Sequence, residues 1–206
     1  MADFLAKIGL DKLERALLYG LIIAVILVVL VGAVEMSHGW WAFLFRWLHV
    51  LSGVMWIGLL WYFNFVQIPS MPKIPDEQKP AVSKVIAPEA LFWFRWSALA
   101  TVVTGLILAW MNGYLVDALM LGGLKGGTAT AIGIGMWLGL IMAYNVWMII
   151  WPNQQKALGL VDAMPDEKKA AARVAMLTSR FNTMFSIPML YFMVAAQNIN
   201  VKGIGG

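Results

Sequence analysis

Five stretches of this 206-residue chain contain no Asp, Glu, Lys or Arg: Leu17 to Val34, Trp47 to Ile68, Trp96 to Val116, Thr128 to Trp151 and Phe181 to Val201. Each is near or above the roughly 18 to 20 apolar residues that a helix rising about 1.5 Å per residue needs to cross a ~30 Å hydrocarbon layer. Charged residues make up 13% of the chain and hydrophobic ones 61%, and the charges are confined to short clusters between the runs. That pattern predicts an all-α, polytopic membrane helix bundle of about five transmembrane helices. The expected organisation is a single integral membrane domain over residues 1–206, with spans near 17–34, 40–68, 92–116, 128–151 and 178–201. The first run is longer than the roughly 7 to 15 residues of a signal-peptide core. Its leader mixes Asp3, Asp11 and Glu14 with Lys7, Lys12 and Arg15, and no A-x-A site follows, so it reads as a retained anchor.

Basic residues alternate between the two sides of such a bundle. Lys7, Lys12 and Arg15 precede the first run; Lys73, Lys79 and Lys84 lie in the second connection; Lys156, Lys168, Lys169 and Arg173 lie in the fourth. The opposite side has Lys125 and Lys202. Ten against two predicts a cytoplasmic N-terminus and an outward C-terminus. The net charge of +4 is then mostly a topology signal with some attraction to anionic headgroups, and gives no reason to expect nucleic-acid binding. The two long cytoplasmic connections differ in character. Pro69, Pro72, Pro75, Pro80 and Pro88 punctuate the first, and Met164 to Lys169 opens an Ala-rich, helical approach to the fifth span. The outward Leu121 to Gly127 reads as a flexible turn. Neither long connection has the size of a catalytic domain, so chemistry must reside in the bundle or come from a partner.

Zero cysteines exclude disulfides, thiolate metal sites, iron–sulfur clusters and covalently attached c-type haem within this chain. No P-loop, H-E-x-x-H motif, carboxylate pair or nucleophile triad occurs. Fourteen methionines are scattered through the apolar runs as core fillers rather than set as a copper-type array. Gly135-Met136-Trp137-Leu138-Gly139 has the G-x-x-x-G spacing that lets another helix approach, within the bundle or between copies. Phe43-Leu44-Phe45-Arg46-Trp47 and Phe92-Trp93-Phe94-Arg95-Trp96 share F-x-F-R-W. This fits interfacial anchoring by aromatic rings with a snorkelling Arg, or a divergent helix duplication.

The chain has two histidines, and His49 lies inside an apolar run. At 100° per residue Arg46, His49, Gly53 and Trp56 share one side of a helix. A glycine one turn from a histidine leaves room for a flat ring system such as haem, and equally permits close helix packing. Two readings stand: an imidazole hydrogen-bonded to a neighbouring helix, or an axial ligand to haem b with Arg46 and Gly53 completing the cofactor-binding group. His38, beside the short outer turn, is poorly placed to be the second ligand, which would be a Met, an open position or a partner chain's histidine. Arg46, Arg95 and Arg180 stand at the predicted beginnings of spans, where a helix dipole disfavours a cation. They contact lipid phosphates or carbonyls, or else Arg95 and Arg180 join Asn145 and Asn153 in a polar inner pocket for an anionic headgroup, a quinone or a small anion.

Several of these segments resemble a known family. Arg46-Trp47-Leu48-His49 with Gly53 and Trp56-Ile57-Gly58; Trp93 to Trp96 with Thr104-Gly105; Asn145-Val146-Trp147 with Ile150 to Gln154; and Ser179 to Thr183 with Ile187-Pro188-Met189 look like the membrane domain of bacterial urate oxidases whose C-terminal part is a cytochrome c. The likeness runs from about Phe43 to Met193. It makes His49, Arg95, Asn145, Asn153 and Arg180 the matched candidates, and implies a multi-pass protein of a bacterial-type inner membrane. That family's enzymes end in a C-x-x-C-H module, so this cysteine-free chain resembles the membrane half alone, with an outward-facing cytochrome c as a partner. The expected function is therefore an integral membrane subunit of an electron-transfer or oxidase-type assembly, not an enzyme by itself, working against other membrane subunits or in a homo-oligomer. A cofactor-free accessory subunit and a small-solute transporter are the alternatives, and the lack of a convincing inverted repeat ranks transport last.

Overall fold

The computed structural model describes residues 1–122 and 127–199, apart from the side chains of residues 2–4. Most of the turn around Lys125, and the chain beyond Ile199 with Val201 and Lys202, lie outside the described residues. Among the described residues there are helices and connections and no strand, an all-α protein as the apolar runs predict. Backbone contacts divide the chain into two units, Met1–Phe43 and Leu44–Gly206.

The first unit holds α1 (Ala2–Lys7), α2 (Leu13–Leu30) and the start of α3 (His38–Trp61). The Tyr19 hydroxyl donates to the Ile8 carbonyl at 2.7 Å, tying α2 to the leader. No residue of α2 is buried. Ser37 starts α3 because its hydroxyl accepts the backbone N–H of Trp40 at 3.2 Å, satisfying one of the unpaired donors of a first turn.

In the second unit α3 runs on through a π-helical turn, Tyr62–Gln67, into α4 (Ile68–Ser70) and a 3-10 turn, Met71–Lys73. After a short gap, α5 (Lys79–Ala81) passes through a second π turn, Val82–Ile86, into α6 (Ala87–Met111). Then come α7 (Leu115–Leu119), α8 (Thr128–Tyr144), a third π turn at Asn145–Ile150, α9 (Trp151–Ala157) and α10 (Pro165–Asn198). Each π turn ends two residues before a proline: Pro69, Pro88 and Pro152. A proline has no N–H to give and its ring collides with the carbonyl four residues back, so widening the preceding turn lets the helix continue. The proline-rich connection is therefore much shorter than its composition suggests. Pro69, Pro72, Pro80 and Pro88 sit in helical turns, leaving Pro75 in the 74–78 gap. There Lys79 donates a hydrogen bond to Asp76 and, with its charge, holds that carboxyl below its ordinary pKa.

Among the described residues four helical stretches are long and apolar enough to cross a membrane: Leu13–Leu30, His38–Lys73, Lys79–Met111 and Thr128–Ala157. The fifth expected span falls in α10, which begins where Pro165 occupies the first turn and the Glu167 carboxylate accepts the Met164 N–H at 2.9 Å. α10 is helical throughout but less apolar, because Ser179, Asn182 and Ser186 lie along it, and all three are buried. On its other side Met184, Ile187, Tyr191 and Val194 are exposed.

The core joins Trp56, Leu60 and Phe63 to Phe94, Met142, Val146 and Met189. Phe63 and Phe94 meet edge to face at 5.6 Å. Lipid tails are as apolar as these side chains, so close packing and interhelical hydrogen bonds, more than water exclusion, hold such a bundle. Backbone comes close to backbone at Gly133, where an added Cβ would stand 2.2 Å from the Ala118 carbonyl oxygen of α7. Gly135 packs on Met193 of α10, while Gly139, its partner in the G-x-x-x-G spacing, has nothing within 4 Å of its Cβ position.

The charge bias also makes a prediction. A reporter active only outside the membrane is expected to work when fused after Gly206 and to be silent after Lys79; the reverse result would overturn the expected orientation.

Candidate functional site

Between α3, α6, α8 and α10 of the second unit lies a cavity of about 650 Å³. Arg46, His49, Gly53 and Trp56, which helical spacing puts on one side of α3, all line it. Its walls are otherwise mostly aliphatic, with Met136, Met189 and Met193 among them.

His49 Nδ1 lies 2.8 Å from the Thr101 carbonyl oxygen on α6. A carbonyl can only accept, so Nδ1 carries the proton and, in the neutral ring, Nε2 keeps the lone pair. No hydrogen-bond partner of Nε2 occurs among the described residues. Gly105 makes room for the imidazole: a Cβ there would come within 2.8 Å of His49 Cε1 and 3.0 Å of Nδ1. At Gly53 a Cβ would meet only Thr101 Cγ2, at an ordinary 3.9 Å.

Polar groups cluster around Arg46. Its guanidinium donates to the Gln197 side-chain oxygen, and Tyr114 lies within reach of its charge. At the other end of α3, Trp61 Nε1 donates to Ser186 Oγ at 3.0 Å. As α3 advances from Arg46 to Trp61, its partners on α10 go back from Gln197 to Ser186, so the two helices run antiparallel.

Below that contact runs a buried polar seam. Asn145 Nδ2 donates to Asn182 Oδ1 at 2.8 Å, Asn182 Nδ2 to the Met142 carbonyl at 2.9 Å, and Asn64 Nδ2 to Ser179 Oγ at 2.8 Å. Asn182 and Ser186 are completely buried. Ser179, Asn182 and Ser186 are spaced three and four apart, so the stripe was readable in the sequence as one helical face. Asn182 went unselected because only its bonded partner, Asn145, shows that the face points inward.

The four residues expected to share a polar inner pocket have different surroundings. Asn145 is committed to the seam. Arg95 has its guanidinium carbon 3.5 Å from the centre of the Trp151 ring, with Phe92 and Trp147 rings at 5.9 Å. Its Nε and Nη1 are buried without a hydrogen-bond partner, so π faces stand where a counter-charge would be. Asn153 Nδ2 donates back to Ile149 of its own helical stretch at 2.8 Å, and Arg180 is exposed. None of the four lines the cavity around His49. The helices start earlier than the apolar runs: α3 begins at His38, α6 at Ala87 and α10 at Pro165. Arg46, Arg95 and Arg180 thus lie two turns or more inside, beyond the first turn where the dipole acts.

Among the described residues no three His, Cys, Asp or Glu side chains gather to hold a bare metal ion. The cavity's chemistry is one imidazole with a free Nε2, three thioethers, a cationic rim and apolar walls. No match was found among curated proteins or among solved structures. Residues 109–200, which include the Asn145–Asn182 seam and the α8 and α10 walls of the cavity, match the family model described as urate oxidase N-terminal, the family that the sequence motifs resemble.

Proposed function

We propose that this chain is the integral membrane subunit of an electron-transfer or oxidase-type assembly, with haem b held in the cavity through His49. The observation that carries the reading is the Nδ1–H bond from His49 to the Thr101 carbonyl. Metal-ligating histidines characteristically donate their other ring N–H to a carbonyl or carboxylate, which fixes the tautomer and orients the ring. The cavity volume falls within the roughly 300–1,000 Å³ usual for cofactor sites. The residues fit the group: His49 for the iron, Gly105 leaving room for its imidazole, Gly53 and apolar walls for the macrocycle, and Arg46 at the rim for a propionate, since guanidinium matches carboxylate geometry. When bound, haem supplies one-electron transfer. The protein's part is to hold the ring, keep water from its faces and set its polarity. An outward-facing cytochrome c is the natural electron partner for a chain with an outward C-terminus in a bacterial-type inner membrane.

The same hydrogen bond would satisfy a purely structural imidazole in a cofactor-free accessory subunit, so the test must separate the two. Material isolated from native membranes with its natural partners is expected to show b-type bands in reduced-minus-oxidised spectra, and His49→Ala should abolish them. A colourless wild-type assembly, in which His49→Ala only lowers stability by about 1 to 3 kcal/mol, would overturn the haem reading.

A further inference from the structure

We propose that Met193 supplies the second axial ligand, facing His49 across the cavity. This rests on the haem reading above and adds the other half of the iron's coordination, which the sequence left open. Arg46 and Gln197 are bonded, and α3 and α10 run antiparallel from there to the Trp61–Ser186 contact. His49 lies three residues from Arg46 in that direction and Met193 four residues from Gln197. At about 1.5 Å per residue these are about 4.5 and 6 Å from the shared pin, each close to one helical turn, and the comparison is made at that pin because the Trp61–Ser186 contact lies 15 residues on along α3 but 11 along α10. Each also stands on the cavity side of its helix, since both line the cavity.

The other candidates are less well placed. Met189 is a further turn along α10 and buried among Trp56, Leu60 and Met142. Met136, like Met193, packs with the Ala118–Ile132 cluster, but it belongs to α8 and not to the helix that Arg46 pins at Gln197. His38 opens the helix that carries His49, and one helix cannot present both residues to opposite faces of one macrocycle. Ligation requires the Met193 side chain to turn. Its Cγ and Sδ lie against Gly135, 3.2 and 3.3 Å from where a Cβ would be, and an unbranched side chain with three rotatable bonds can swing from that bare backbone into the cavity. A neutral, soft thioether suits a site whose lining contains no carboxylate, and His/Met ligation raises a haem's potential.

The test uses the assembly purified with its haem. Wild type is expected to be six-coordinate and low-spin. Met193→Leu should keep the haem but become high-spin, take up carbon monoxide near-stoichiometrically where the wild type takes up almost none, and lose potential. Met193→His should restore a low-spin spectrum at a potential below wild type. Met136→Leu and Met189→Leu alter the cavity wall and so shift the potential, but both should stay six-coordinate, low-spin and almost unreactive to carbon monoxide. A Met193→Leu protein with the wild-type spectrum, potential and carbon monoxide response would overturn the ligand assignment alone, provided the bands still vanish in His49→Ala. Absence of haem from the wild-type assembly would overturn both readings together.

Discussion

Gly133→Ala is expected to be the most destabilising single-methyl addition in the second unit. The new Cβ would stand 2.2 Å from the Ala118 carbonyl oxygen and 3.1 Å from its carbonyl carbon. The obstacle is backbone, so no rotamer change relieves it, and α7 must move away from α8. That movement would open the small cluster of Ala118, Ala131, Ile132 and Ala196. Overpacking a well-packed site costs about 1–3 kcal/mol, and a backbone obstacle belongs at the upper end. For a chain of this size the loss corresponds to a fall of about 6 to 12 °C in Tm. Gly139→Ala on the same helix is the control, because nothing lies within 4 Å of its Cβ position. Removing a helix-interior glycine there should leave Tm unchanged or raise stability by roughly 0.5–1 kcal/mol. Thermal unfolding of the two variants in one detergent compares them directly. Equal melting temperatures would mean that α7 and α8 do not pack as described.

Gly105→Ala is expected to break the His49–Thr101 hydrogen bond while leaving the bundle folded. Here the added Cβ meets a side chain, with Cε1 at 2.8 Å and Nδ1 at 3.0 Å, so the imidazole can yield by rotating. Rotation takes Nδ1 off the Thr101 carbonyl, which keeps a bond from Thr104 Oγ1 at 3.2 Å. The combined loss is about 1–3 kcal/mol, made of the strained contact and the lost bond. The chain's two histidines make the measurement clean: ¹⁵N-histidine labelling gives two ring systems, one from exposed His38 and one from His49. In cofactor-free wild type the His49 ring is expected to be a single Nδ1–H tautomer with a slowly exchanging proton. In Gly105→Ala that signal should give way to a mixture of tautomers. An unchanged His49 spectrum would show that Gly105 does not position the ring. In haem-loaded material the same variant is expected to lower haem retention, since the ring that presents Nε2 has lost its orientation.

The sequence alone determined the properties that follow from local chemistry. Uncharged runs long enough for a bilayer predicted an all-α membrane protein, and the described residues are all-α with four helices long and apolar enough to cross it. Period 3.6 put Arg46, His49, Gly53 and Trp56 on one face, and all four line one cavity. Met164 to Glu167 announced the start of α10, because a proline in the first turn and a carboxylate near free N–H groups act within a few residues. The prolines were half legible: they mark helix disturbance, but whether a helix stops or widens into a π turn depends on what it packs against afterwards. The partners were decided by tertiary structure. Gly53 and Gly105 look alike in sequence, and only the approach of α6 to α3 makes Gly105 the one that accommodates the imidazole. Asn145 and Arg95 are both polar residues in apolar runs, yet one meets Asn182 and the other the Trp151 ring. Helical periodicity fixes direction around an axis and says nothing about the register between two axes. That register is set by contacts such as Arg46–Gln197 and Trp61–Ser186, whose members are far apart in the chain.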